Sequence, residues 1–176
     1  MNCRICVRLL MPLLLLTASV FAQTSREDKK KAKEEQRAAR EALLKTVVDS
    51  RMYSFFAEIA TALNGDRHEL GTPYFFVRIN QDSLEVDLPY WGISHAAMLG
   101  GSNDGGIRFK SVTTSYTVKT RKKGGWFVSI VPKDNRFADK MDFDIEADGD
   151  ATLEVTSKFR ESISYRGEMT TYNASR

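Results

Sequence analysis

The sequence predicts a mainly β protein: an antiparallel meander of about eight strands, closing into a barrel, behind a charged N-terminal α-helix. Three observations carry that expectation. Apolar residues alternate with polar ones from Leu84 almost to the C-terminus, short turn-forming runs separate the alternating stretches, and a Gly- and Pro-free charged run precedes them all. Alternation means one buried and one wet face, which belongs to antiparallel sheets.

At the N-terminus, Arg4 and Arg8 precede an apolar run from Leu9 to Phe21, and Val20-Phe21-Ala22 supplies small residues near a cut after Ala22. This is the layout of a secretory signal peptide over residues 1–22. Its apolar stretch, about 13 residues interrupted by Pro12, falls short of the roughly 20 that a membrane-spanning helix needs. The expected mature chain is therefore exported, periplasmic or extracellular, without a membrane span. Cys3 and Cys6 leave with the signal peptide, so no disulfide, thiolate nucleophile or Cys-ligated metal is expected afterwards. The formal net charge of +3 also loses Arg4 and Arg8, and a nearly neutral domain offers no footprint for nucleic acid.

Residues 23–48 form a charged leader. Strong helix formers run from Arg26 to Lys45, with opposite charges at Glu27–Lys31, Lys30–Glu34, Lys31–Glu35, Arg37–Glu41 and Glu41–Lys45. Large apolar residues are absent before Leu43. A helix solvated at first should thus dock only its last two turns, through Ala39, Leu43 and Val47 with Leu44 and Val48 beside them.

The β domain occupies 49–176. Met52–Ala62 reads as a strand from its Tyr and Phe content, although Phe55, Phe56, Ile59 and Leu63 also fit a helix. Asn80-Gln81-Asp82-Ser83 then separates Phe75–Ile79 from Leu84–Leu88. Ile107 and Phe109 share a face; Val112, Thr114, Tyr116 and Val118 share the next. Lys122-Lys123-Gly124-Gly125 leads to Trp126–Val131, and Asp148-Gly149 joins Met141–Ala147 to Ala151–Ser157, with Ile163 and Tyr165 in the last strand. Closing such a meander removes both exposed edges and places the apolar face inside. An eight-stranded interior is either filled by side chains or wide enough for one small ligand.

Chemistry-bearing patterns are sparse. The two histidines, His68 and His95, give no metal-ligand spacing. Asp144–Asp150 superficially matches a calcium loop, but Val155 stands where the bidentate acid belongs and the flanks alternate as strands. No nucleophile elbow or phosphate loop occurs, so no catalytic residue, cofactor or metal is expected. Asn173-Ala174-Ser175 is a glycosylation sequon at the tail. The long connection Pro89–Gly106 holds Tyr90, Trp91, His95 and Met98. It reads either as a lid whose aromatics touch a ligand or as aromatics plugging one barrel end.

The series Phe76-Val77-Arg78-Ile79-Asn80, Leu88-Pro89-Tyr90-Trp91-Gly92, Gly105-Gly106-Ile107-Arg108-Phe109 and Leu153–Ser157 followed by Arg160–Gly167 resembles the domain-of-unknown-function 4251 family of exported Bacteroidetes proteins. The resemblance spans about residues 30 to 168, in an order and spacing more specific than any one piece. It implies a lipocalin-type barrel and carries over no catalytic residue. Met52–Ala62 departs from the family in being more apolar.

The expected function is a non-catalytic module holding a small apolar ligand, with Tyr90, Trp91, Met98, Phe109, Tyr116 and Phe143 as the binding residues. The alternative is an interaction protein with a packed barrel core, binding a cell-envelope protein through Phe76 and Phe127 or through the leader helix.

Overall fold

The computed structural model describes residues 11–71, 74–94, 105–122, 124–133 and 135–172, with side chains of the N-terminal helix described from Asp28 onward. The helix α1 spans Met11–Ser50. The strands are β1 (Met52–Ala62), β2 (Arg67–Glu69), β3 (Phe76–Asn80), β4 (Ser83–Leu88), β5 (Ile107–Thr120), β6 (Trp126–Pro132), β7 (Lys140–Ile145), β8 (Asp150–Thr156) and β9 (Ile163–Thr171).

Compactness divides the chain into residues 1–39 and 40–176. In the first unit, every described side chain is exposed, as expected for charged helix with no apolar stripe. The second unit is a closed antiparallel barrel. β3 to β9 follow one another as a meander, and β1 closes it by pairing with β3 on one side and β9 on the other. β2, which the sequence did not announce, is a short return of the chain along the far half of β1.

Met52–Ala62 is strand throughout. It carries a bulge between Ala57 and Ile59 where it faces β9. The extra residue, Glu58, is exposed, and inward facing passes from Tyr53, Phe55 and Ala57 to Ala60 and Ala62. A second bulge corrects one expected face. Between Thr113 and Ser115 the register of β5 against β6 shifts, so Val112 points outward, 49% exposed, and does not share the face of Tyr116 and Val118. Ser111 and Thr114 hydroxyls brace this kink by donating to the carbonyls of Lys133 and Val131, each at 2.9 Å. An added residue in one strand reverses the alternation beyond it, and simple period-two reading cannot see that.

The barrel interior is filled. Tyr53, Phe55, Ile79, Leu84, Leu88, Ile107, Ile130, Met141, Phe143, Ile145, Leu153 and Tyr165 are all essentially inaccessible. Phe143 sits at the centre, edge-on to Phe55 at 5.6 Å and to Tyr53 at 6.5 Å between ring centroids. Such edge-to-face pairs add to the hydrophobic gain. At one end, Leu44, Val47 and Val48 of α1 are buried. Leu43 is 57% exposed and Ala39 is exposed, so the docking face is turned from the expected Ala39–Leu43–Val47 stripe to the neighbouring i, i+3, i+4 set. Arg40 meets Glu168 of β9 beside it.

Candidate functional site

Three of the sequence pieces singled out above meet at the other end of the barrel. β4 delivers Leu88–Gly92, the entry into β5 brings Gly105–Phe109, and the approach to β9 brings Arg160–Tyr165. Arg160 is 6% exposed. One guanidinium nitrogen donates to the carbonyls of Gly105 at 3.1 Å and Gly106 at 3.2 Å. Its central carbon lies 4.8 Å from the Tyr90 ring centroid and 5.2 Å from that of Phe137. Among the described residues no carboxylate pairs with this cation, so carbonyl dipoles and ring faces offset its desolvation. Phe137 is set by an Asx turn, the Asn135 side-chain oxygen accepting from the Phe137 and Ala138 N–H groups at 2.7 and 3.3 Å. It stacks nearly parallel on Phe109, centroids 6.4 Å apart.

Tyr90 completes the plug. Its hydroxyl donates between the carbonyls of Ile93 and Glu161, at 3.0 and 3.1 Å. Glu161 holds the same segment through the Ile93 N–H, which donates to its carboxylate at 3.2 Å. The Tyr165 hydroxyl donates to the Pro89 carbonyl at 2.5 Å. Burial pushes the phenol pKa of both tyrosines upward. Replacing Arg160 by Ala should orphan two carbonyls and remove the two ring contacts, costing about 3 kcal/mol in urea unfolding. Arg160→Lys should cost more than half as much, because an ammonium lacks the flat guanidinium face that lies over the Tyr90 and Phe137 rings. A loss below about 0.5 kcal/mol would show that the guanidinium holds nothing together.

A second polar chain lies at the helix end. Tyr53 donates to the Tyr116 hydroxyl at 3.0 Å, and Tyr116 donates to the Val48 carbonyl at 3.1 Å, with the Arg51 guanidinium over the Tyr116 ring. This chain latches the last turn of α1 onto the barrel. Burial pushes the Tyr116 phenol up to about 12 and Tyr53 well above its ordinary value.

The six residues expected to form one binding site are thus dispersed. Tyr90 lies under Arg160, Phe109 reaches that cluster only through Phe137, Tyr116 belongs to the latch, and Phe143 is buried in the core. Trp91 is 41% exposed and stacks on His68, centroids 4.3 Å apart. Met98 and His95 lie outside the described residues. Arg160, Phe137 and Tyr165 were missed. A charged residue beside alternating strands reads as surface, and nothing local in the sequence marks Arg160 as buried.

Outside the plug, Leu63, Tyr74, Trp91, Ile93 and Phe159 stay exposed near this end. The walls differ. They carry ion pairs such as Arg108–Asp87, Lys110–Glu85, Arg121–Asp144 and Lys140–Asp142. Of the two wall aromatics, Phe76 lies under the Arg78 guanidinium, and Phe127 is 47% exposed. Phe127 lines an open groove of about 550 Å³ with Thr117, Lys119, Val128, Ser129, Lys140, Asp142 and Phe143. Among the described residues, no group of three His, Cys, Asp or Glu is arranged to hold a metal, and no helix is long and apolar enough to cross a membrane.

The family model described as Domain of unknown function (DUF4251) matches residues 34–169. A crystal structure of a DUF4251 family protein from Bacteroides eggerthii DSM 20697 is similar, with a TM-score of 0.57 and 16% identity over 77% of this chain and 91% of that chain. At that identity the likeness is one of fold. No curated protein matches.

Proposed function

Because the chain belongs to the DUF4251 family, which carries no assigned activity, we propose a function from its own geometry: an exported, non-catalytic interaction protein that presents one barrel end to a cell-envelope protein. The observation that carries this reading is a set of exposed apolar side chains, Trp91, Ile93 and Phe159, tied to a buried plug. Ile93 and Glu161 exchange backbone and side-chain bonds, and the Ser94 hydroxyl donates to the Phe159 carbonyl. These apolar groups are therefore held in place ahead of binding, which lowers the ordering cost of an interface. Exposed apolar groups gathered at one place mark interaction surfaces more often than scattered ones do.

The other reading, a small apolar ligand inside the barrel, has the apolar inner face in its favour. It requires side chains such as Phe143 and Tyr53 to give way, and both are packed against other rings. Photo-crosslinking in the native host separates the two. A crosslinker at Ile93 or Phe159 should trap one discrete protein species, and one at Lys110 on the charged wall should not. Equal trapping at all three sites, or none, would overturn the interface. Native mass spectrometry should give the mass of the bare chain; a bound small molecule there would favour the ligand reading.

A further inference from the structure

β5 is paired differently along its two sides. On one side β4 covers Ile107–Val112, and the run ends with the Thr113 N–H donating to the Asp82 carbonyl at 2.8 Å. On the other side β6 pairs from Thr113 to Thr120. Among the described residues, no strand therefore lies against the β4-facing side of Thr114–Thr120.

Hydrogen-bond parity identifies the groups that face this opening. The Arg121 N–H donates to the Gly125 carbonyl at 3.0 Å. Antiparallel pairs alternate, so Lys119/Phe127, Thr117/Ser129 and Ser115/Val131 exchange bonds with β6. The N–H and C=O groups of Tyr116, Val118 and Thr120 consequently point to the open side. Side-chain exposure agrees. Val118 is 36% exposed, whereas Val128, directly across from it and on the same face, is 1% exposed.

Along this edge β5 itself carries cations, while Asp82, Asp49 and Glu41 from neighbouring elements border it near Thr113, Tyr116 and Gly124. No acid occurs between Ser111 and Gly125. Lys110, Arg121 and Lys140 on the surrounding wall each meet a carboxylate. Among the described residues, Lys119 and Lys122 have none within ion-pair distance. An unpaired strand edge is a template for another chain, and proteins commonly guard it with charge. Here the guard excludes cationic strands and leaves anionic ones admissible.

We infer that Thr114–Thr120 accepts an extended acidic segment of a partner protein by strand addition. The segment's apolar residues lie over Val118, and its carboxylates alternate with them beside Lys119. Main-chain bonds supply the affinity in this mode, and alternate side chains supply the specificity. A second copy of this chain is disfavoured, because it would bring two unpaired Lys119–Lys122 sets together. The edge is separate from the Trp91–Phe159 surface, so either proposal can fail without the other.

Amide exchange measured by NMR on the full-length protein tests the inference. Alone, the Tyr116, Val118 and Thr120 amides should exchange far faster than those of Ser115, Thr117 and Lys119. An end-blocked heptapeptide alternating valine and glutamate should slow the three outward amides about tenfold or more, and the valine–lysine counterpart should not. Lys119→Glu should weaken the glutamate peptide about tenfold. Val118→Pro should weaken it similarly, since it removes an outward donor and no bond to β6. No slowing with excess peptide, or equal slowing by both peptides, overturns the inference. So do outward amides that become protected as protein concentration alone is raised, which would identify a second copy as the occupant.

Discussion

Gly167→Ala should lower stability by about 3 kcal/mol or more, and the melting temperature by roughly 10 °C, measured by circular dichroism. A Cβ at Gly167 would stand 1.9 Å from the Phe56 carbonyl oxygen and 2.8 Å from its carbon. These are backbone atoms, held by the pairing of Phe56 and Ala57 with β9, so no side chain can swing aside. The strain falls on the seam that turns an open sheet into a barrel, next to the Ala57–Ile59 bulge. Gly65→Ala is the fitting control. That glycine has φ +91 with nothing within 4 Å of an added Cβ, so only the backbone penalty of about 1 kcal/mol applies. If the two substitutions cost the same, close backbone approach at the seam is not what requires Gly167.

Phe143→Ala should cost about 3–5 kcal/mol in urea unfolding, the usual range for emptying a packed aromatic position. Its ring touches both Phe55 and Tyr53 and is 1% exposed. The vacated space would be apolar and enclosed. Benzene should therefore raise the melting temperature of the variant and leave the parent protein unchanged, since a dry apolar cavity takes up small apolar molecules. The result also weighs the two functional readings. A residue lining a ligand chamber would lose less than about 1 kcal/mol, and the parent protein would then respond to apolar probes as well.

Most of the strand layout was legible because period-two alternation is a local property. Leu84–Leu88, Met141–Ile145 and Ala151–Val155 could each be assigned to inner and outer faces without reference to a partner. The β7–β8 hairpin was legible for a similar reason, Asp148-Gly149 being a local turn signal. The bulges in β1 and β5 were not. Each is defined by two residues opposing one, a relation between strands distant in sequence.

The same distinction runs through the candidate sites. From the sequence alone came a charged helix whose end docks, a meander with one apolar face, and a connection carrying Tyr90 and Trp91 that could plug a barrel end. Each of these depends on residues within a few positions of one another. Only the tertiary structure decided that Arg160 is buried between Tyr90 and Phe137, that Phe143 packs against Phe55 and Tyr53 in the interior, and that, among the described residues, no strand lies beside half of β5 on one side. Burial of a cation, occupancy of an interior and vacancy of an edge are set by which distant segments arrive beside a residue, and barrel closure through Gly167 determines those arrivals.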